Sequence, residues 1–315
     1  MPYATGTANN ATELRTALTN LATANGWTWD ATNQMLYKAP VYGKLTISGL
    51  NLFVQSALGY SGATLTTPAA QGAGISANIS RTGITVITYP LTYHVFVHAN
   101  PDVVVLAVNW GTVWWQWLMF GNAKSLGDEP NPLWHWGSAD STAPTGEGVI
   151  IFSSGATSIS SGAQPAAPLF GRLNSGAGKN GALYANVDLV GWHYNFTSNT
   201  GASPADANAG YAAGPLLQTQ PNAWNAETEL IRLQPMVLRP SSFQSYIADL
   251  WHVRITRNDN FSDGQIITIG PDRWFVAPCF RKDSANRDSS QGTAGGAIAG
   301  THTGTMALAI RYDGP

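Results

Sequence analysis

Cysteine occurs once, at Cys279, so the chain closes no disulfide within itself and builds no multi-cysteine zinc site. In its setting, Val-Ala-Pro-Cys-Phe, it reads as a small buried hydrophobe. Charge is scarce as well. Asp, Glu, Lys and Arg together make up 11% of the residues, against roughly 25% in an ordinary soluble domain. The net charge of -2 and the pI near 6.3 argue against a nucleic-acid binder, which needs a basic stripe to neutralise phosphates. Apolar runs are short. The longest, residues 103–108, is far from the roughly 20 residues that a membrane helix requires. The start, Met-Pro-Tyr-Ala-Thr-Gly-Thr, has neither a basic segment nor an apolar one, so no signal peptide is expected. The expected location is a reducing cytoplasm, or a route out of it other than secretion.

Tryptophan is abundant, with 12 residues, and so is glycine, with 33. Arg outnumbers Lys by 11 to 5, which suits fixed bidentate contacts better than long-range steering. Sparse charge combined with Trp and Arg points to an exterior covered by neighbours. The plainer reading is a β-rich fold with Ser, Thr, Asn and Gly on its outer faces.

Residues 89–120 organise the chain. Three runs rich in β-branched and aromatic residues, at 92–98, 103–110 and 113–120, are separated by Asn100-Pro101-Asp102 and Gly111-Thr112. Such spacing is the signal for antiparallel hairpins. The first two runs are apolar on both faces, so the strands are expected to be covered on both sides. Residues 10–25 form the one convincing helix. Asn10 followed by Glu13 has the form of a capping box, Leu14, Ala17, Leu18 and Leu21 recur at helical spacing, and Asn25-Gly26 supplies a left-handed stop. Short alternating strands come next, at 27–29, 34–38, 44–48 and 50–55.

A Gly/Ala/Thr/Pro stretch at 61–77 is the expected internal boundary, dividing the chain into residues 1–64 (helix and short strands) and 65–315 (the main β domain). Residues 121–181 hold long Gly/Ser/Ala-rich loops, with a short strand at 149–152. Loops of this length are functional or are ordered by partners. Strands are expected again at 182–195, 229–237, 246–255, 265–269, 273–280 and 305–312. The fold class is therefore all-β, an antiparallel sandwich or jelly-roll-like core with one N-terminal α-helix.

No motif points to catalysis or to a cofactor. Gly176-Ala177-Gly178-Lys179-Asn180-Gly181 matches G-x-G-x-x-G, but residues 182–190 after it read as strand, so there is no helix N-terminus to hold a pyrophosphate. His94 and His98 lie four apart on a strand, a span of roughly 13 Å, too far to share a metal. They read as partly buried or surface histidines. His135, His193, His252 and His302 are scattered, and no serine sits in a nucleophile elbow. Asp128 and Glu129, beside Trp134 and Trp136 in a loop, offer a saccharide site on one reading and a solvated turn on the other. Trp114, Trp115 and Trp117 alternate across a strand, so at least one indole is expected to face a neighbour or a glycan.

Three stretches carry a resemblance. They are the N-terminal ATGTANNATELRTALTNLATANGWTWD, the central YHVFVHANPDVVVLAVNW with WQWLMFG, and the C-terminal GQIITIGPDRWFVAPCFRKD with HTGTMALAIRYDGP. Together they resemble virion structural proteins of tailed bacteriophages encoded among neck, tail and baseplate genes, over about two thirds of the chain. The resemblance implies a non-enzymatic, homo-oligomeric component of a tail, collar or baseplate, assembled in the host bacterial cytoplasm. Its partners would be copies of itself and other virion proteins, with no cofactor, no direct nucleic-acid contact and no membrane span. The expected interfaces are Trp110, Trp114, Trp115, Trp117, Trp134 and Trp136, with Leu14, Leu18 and Leu21 of the helix. The alternative is a glycan-binding receptor module on the same particle, using Asp128, Trp134 and Trp136.

Overall fold

The computed structural model describes residues 2–76, 87–110, 114–126, 130–141, 183–186, 191–194, 230–233, 236–238, 244–246, 248–257, 261–278 and 306–315. Within them the protein is antiparallel β-sheet with one N-terminal helix.

The meander at 89–120 is the middle of a seven-stranded central sheet. Its order is Tyr3–Ala8, Leu91–His98, Val103–Trp110, Trp114–Asn122, Leu133–Gly137, Leu183–Asn186 and His193–Tyr194. Both faces of this sheet are apolar because each meets a different core. Side chains alternate along a strand, so Val104, Leu106 and Val108 join Leu14, Leu18, Leu36, Leu45, Leu52 and Val54 on one side. Val103, Val105 and Ala107 join Trp117, Met119, Phe275, Leu308 and Ile310 on the other. Residues 103–108 are all within 2% of complete burial. At about 1.5–3 kcal/mol for each large aliphatic side chain taken out of water, this strand anchors both cores.

The first core is closed by the helix and a six-stranded N-terminal sheet, ordered Ala139–Asp140, Ala73–Ile75, Asn51–Ala57, Val41–Ser48, Met35–Lys38 and Thr28–Asp30. The second is closed by a five-stranded C-terminal sheet, ordered Ile231–Arg232, Val253–Arg257, Met306–Arg311, Asp272–Pro278 and Ile266–Ile269. The sandwich is thus three sheets deep. Among the described residues the central sheet runs up and down as a meander from 91 to 194. The boundary expected at 64/65 is overturned. Tyr3–Ala8 is an edge strand of the central sheet, Ala73–Ile75 pairs with Asn51–Ala57, and the helix shares a core with Val95 and Leu106.

The helix spans Ala11–Thr23. Asn10 is extended (φ -166°, ψ 170°) and its Oδ1 accepts the Glu13 N–H at 2.9 Å. Glu13 reaches back to the Asn9 N–H at 2.8 Å, one residue earlier than in the usual capping box. Ala11, Leu14, Leu18 and Ala22 are buried at 3.6-residue spacing. Gly26, at φ 84°, ends the helix in the left-handed region that a glycine enters without a Cβ penalty.

The chain passes from the central to the N-terminal sheet at Ser138. Ser138 N–H donates to Trp117 O at 3.0 Å, and its Oγ accepts the Trp117 N–H at 2.8 Å. The hydroxyl stands where a strand carbonyl would, as the backbone turns away to pair Ala139 with Gly74. Gly137 makes this crossing possible, since a Cβ there would overlap the Gly74 backbone. Nearby, the buried Gln116 amide acts as a strand surrogate. Its Oε1 accepts the Ser76 N–H at 2.8 Å and its Nε2 donates to Ser76 O at 2.9 Å.

Candidate functional site

Five of the six expected interface tryptophans are core residues of the single chain. Trp110, Trp117 and Trp134 are 2% exposed, Trp115 4% and Trp136 0%. Trp134 and Trp136 lie on the strand Leu133–Gly137, not in a loop. Trp117 and Trp136 pack edge to face, with ring centroids 5.4 Å apart. Counting alternation shows that one set of indoles leaves the sheet's first core. It does not show that a second sheet of the same chain waits on that side. Trp114 begins its strand opposite Trp110. Leu14 and Leu18 are fully buried against the N-terminal sheet and central meander, and Leu21 is half-buried beside them. The five buried indoles, Leu14 and Leu18 therefore hold the fold together and are not open to a neighbour. Asp128, along with the expected strand at 149–152 and most of the Gly/Ser/Ala-rich loops, lies outside the described residues. With Trp134 and Trp136 sealed, the saccharide site expected on them is lost.

The second core gathers histidines that are far apart in sequence. His98, at the end of its central strand, stacks on His252 of the C-terminal region, with ring centroids 4.3 Å apart and planes 8° from parallel. Both are 2% exposed. His252 Nε2 lies 3.0 Å from Pro101 O and so carries the proton. Earlier on the same strand as His98, His94 Nδ1 is 2.8 Å from the Tyr3 hydroxyl. Its ring lies 4.6 Å from Phe275 and 5.5 Å from Trp115. On the opposite face His135 is completely buried, donates from Nε2 to Gln71 O at 3.1 Å, and stacks on Tyr184. Burial pushes His94 and His252 down to about 4 and His135 to about 3, and holds His98 well below its ordinary value. All four are neutral near pH 7. The expectation of partly buried or surface histidines fits His94, half-buried, and not His98.

Charge gathers where Lys124–Ser125 pairs with Ala248–Asp249. Asp249 Oδ1 accepts from Arg254 Nη1 at 3.2 Å, with the two side chains 2% and 9% exposed. The same Nη1 is 2.9 Å from Val253 O and 3.1 Å from Leu250 O. The Arg254 guanidinium lies between Trp251 and Trp274, 5.8 and 5.4 Å from their centroids, and Lys124 Nζ caps Trp251 at 4.4 Å. Burial raises the Asp249 carboxyl, opposed by Arg254, Arg232 and Lys124. With its indole flanked by two cations, this cluster clamps the C-terminal sheet to the end of the central meander.

An aromatic group that no local sequence pattern announces sits at the outer side of the N-terminal sheet. Tyr37 and Tyr42 stack at 5.5 Å, and Tyr60 tilts against both from the hairpin Gly59–Ser61/Thr64–Thr66. The Tyr60 hydroxyl donates to Asp30 Oδ2 at 3.2 Å, and Asn33 donates to the same oxygen at 2.7 Å. The ring faces are spent on each other and the carboxylate on Tyr60 and Asn33, so the group pins the hairpin to the sheet.

No protein-family model matches the chain, and no curated protein matches it. No group of three or more His, Cys, Asp or Glu side chains converges as a ligand set among the described residues. No helix is long and apolar enough to cross a membrane, among the same residues.

Proposed function

We propose that the protein is a structural component of a tailed-phage virion, in the tail, collar or baseplate, that works through contacts with copies of itself and with neighbouring virion proteins. One observation carries this reading beyond the resemblance of the sequence. The stacked His98 and His252, the Asp249–Arg254 pair and the indoles of Trp115, Trp117, Trp134 and Trp136 are buried where the sheets pack together. The described surface offers apolar positions instead: Leu50, Leu126, Ile266 and Ile269 are between 41% and 54% exposed. A slab sealed by its own layers, with little charge and exposed aliphatic positions at its rims, suits a building block.

The test is localisation. Antiserum against the recombinant chain, applied to purified tailed-phage particles from the producing culture, should deposit gold at the neck, tail or baseplate. Unlabelled particles from a lysate that does contain the protein would refute the proposal.

A further inference from the structure

The strand Ile266–Ile269, sequence Ile-Ile-Thr-Ile, is the last strand of the C-terminal sheet, with no described strand beyond it. It pairs with Asp272–Pro278 through a two-residue turn, Gly270-Pro271, in which Gly270 takes φ 60°. At its other end Gly264 (φ 72°) and Gln265 both face Val276, since Gly264 N–H donates to Val276 O and Val276 N–H donates to Gln265 O, each at 2.9 Å. This is a glycine bulge, and it limits the free edge to four residues.

Main-chain bonding alternates along an antiparallel pair. With Gln265 bonded to Val276, Ile267 and Ile269 turn their polar groups inward to Trp274 and Asp272. Ile266 and Thr268 therefore turn theirs outward. Natural sheet edges are usually blunted by charge, an inward-pointing polar residue or proline. This edge is short and bulged, and Thr268 shares the face of Phe275, but no charge or proline stands between 266 and 269, and Ile266 and Ile269 are 41% and 48% exposed. The first edge strand of the central sheet, Tyr3–Ala8, is by contrast mostly Thr, Ala and Gly.

We propose that Ile266–Ile269 pairs antiparallel with the same strand of a second copy, about a two-fold axis between the two Ile267 residues. In that register Ile266 faces Thr268 of the second copy, and the outward N–H and C=O groups of both residues are satisfied in both chains by four main-chain bonds. A two-fold normal to the sheet keeps each face on its own side, so Ile267 meets Ile267 and Ile269 lies alongside. The strand is its own complement, and it carries no charge that would select a different partner. This deepens the assembly reading above and rests on it for the setting in which copies meet. A four-residue joint falls well below the roughly 1,000 Å² of a stable interface, so pairing in solution is weak and needs a trap to be read.

The trap is set by the axis. Ile267 and its counterpart form a non-hydrogen-bonded pair, with Cα atoms about 4.5 Å apart, within disulfide range. In a full-length Cys279→Ser background, Ile267→Cys under mild oxidation should give a covalent dimer, at least tenfold faster than Thr64→Cys, an exposed control on a separate hairpin. Ile266→Cys, which meets Thr268 and not itself, should lag tenfold behind Ile267→Cys. Adding Thr268→Pro, which deletes an outward N–H, or Ile269→Lys, which places a charge at the joint, should abolish the gain. Equal rates for Ile267→Cys and Thr64→Cys, or a dimer indifferent to both added changes, would overturn the proposal. Gold labelling of particles with no cross-link would leave the assembly reading standing and remove this edge from it. A cross-link without labelling would do the reverse.

Discussion

Acidification should loosen the protein well before carboxylates titrate, because histidines join its layers in the neutral form. His135 and His252 are 0% and 2% exposed and are pushed down to about 3 and about 4, from about 6.5 in an unfolded chain. Between those values the unfolded state binds more protons, so unfolding free energy rises with pH. The stabilisation is complete above about pH 6.5 and is lost as pH falls toward the folded values. From pH 7 to pH 5 each such histidine loses about 2 kcal/mol, or about 4 kcal/mol for the two. His98 and His94 act in the same direction. Asp249, whose carboxyl burial raises in the fold, acts in the opposite direction. A loss of about 4 kcal/mol is a large share of the roughly 5–15 kcal/mol of a typical domain. Urea unfolding at pH 7, 6 and 5 should show the midpoint falling steadily with an unchanged slope. His252→Phe keeps a ring against His98 but gives up the donor to Pro101 O. It should cost about 1–3 kcal/mol at pH 7 and flatten the pH dependence. A midpoint constant from pH 7 to pH 5, or imidazoles titrating near 6.5 by NMR in the folded protein, would refute the reasoning.

Three further outcomes rest on single contacts. Asn10→Ala removes the acceptor for the Glu13 N–H and should lower stability by about 1 kcal/mol, read as an earlier thermal transition by circular dichroism. Gly137→Ala forces a Cβ onto the Gly74 backbone where the two sheets cross and should cost about 1–3 kcal/mol or more, seen as a lower urea midpoint. Asp249→Ala leaves the Arg254 guanidinium buried without its carboxylate and should cost about 3–5 kcal/mol, whereas Asp249→Leu with Arg254→Met should recover most of that loss. A double variant as unstable as the single one would show that the charge pair itself is essential.

The elements legible in the sequence were those whose signals are local. The Asn10 cap, the Gly26 stop and the meander at 91–122 each arise from residues a few positions apart. That residues 103–108 are apolar on both faces also correctly announced a strand covered from both sides. The identity of the cover was not legible. The second layer comes from 253–257, 272–278 and 306–311, and only packing tells a second sheet of the chain from a second subunit. The same gap hid the stack of His98 on His252 and the clamp around Trp251, each made by segments far apart in sequence. The break expected after residue 64 failed for a related reason. The small residues around it, Gly72 and Gly74 among them, allow close sheet crossing and do not make a linker.

Moving the indoles from the surface to the interior changes what the scarcity of charge means. With Trp110, Trp115, Trp117, Trp134 and Trp136 sealed between layers, tryptophan abundance reports on the thickness of the protein and not on its neighbours. A three-sheet slab has two cores to fill, and large rings fill the gaps between twisted sheets that aliphatic side chains leave. Any assembly role must then rest on what remains outside, which is backbone as much as side chain. A sheet protein stacked in three layers necessarily has rims, and each rim is a row of main-chain donors and acceptors unless something blunts it. On this chain Arg232 sits on one rim of the C-terminal sheet, while Ile266–Ile269 leaves the other uncharged and aliphatic. On the pairing proposed above, that asymmetry puts the contact between copies at the Ile266–Ile269 edge, with Phe275 of the second core on the strand behind it.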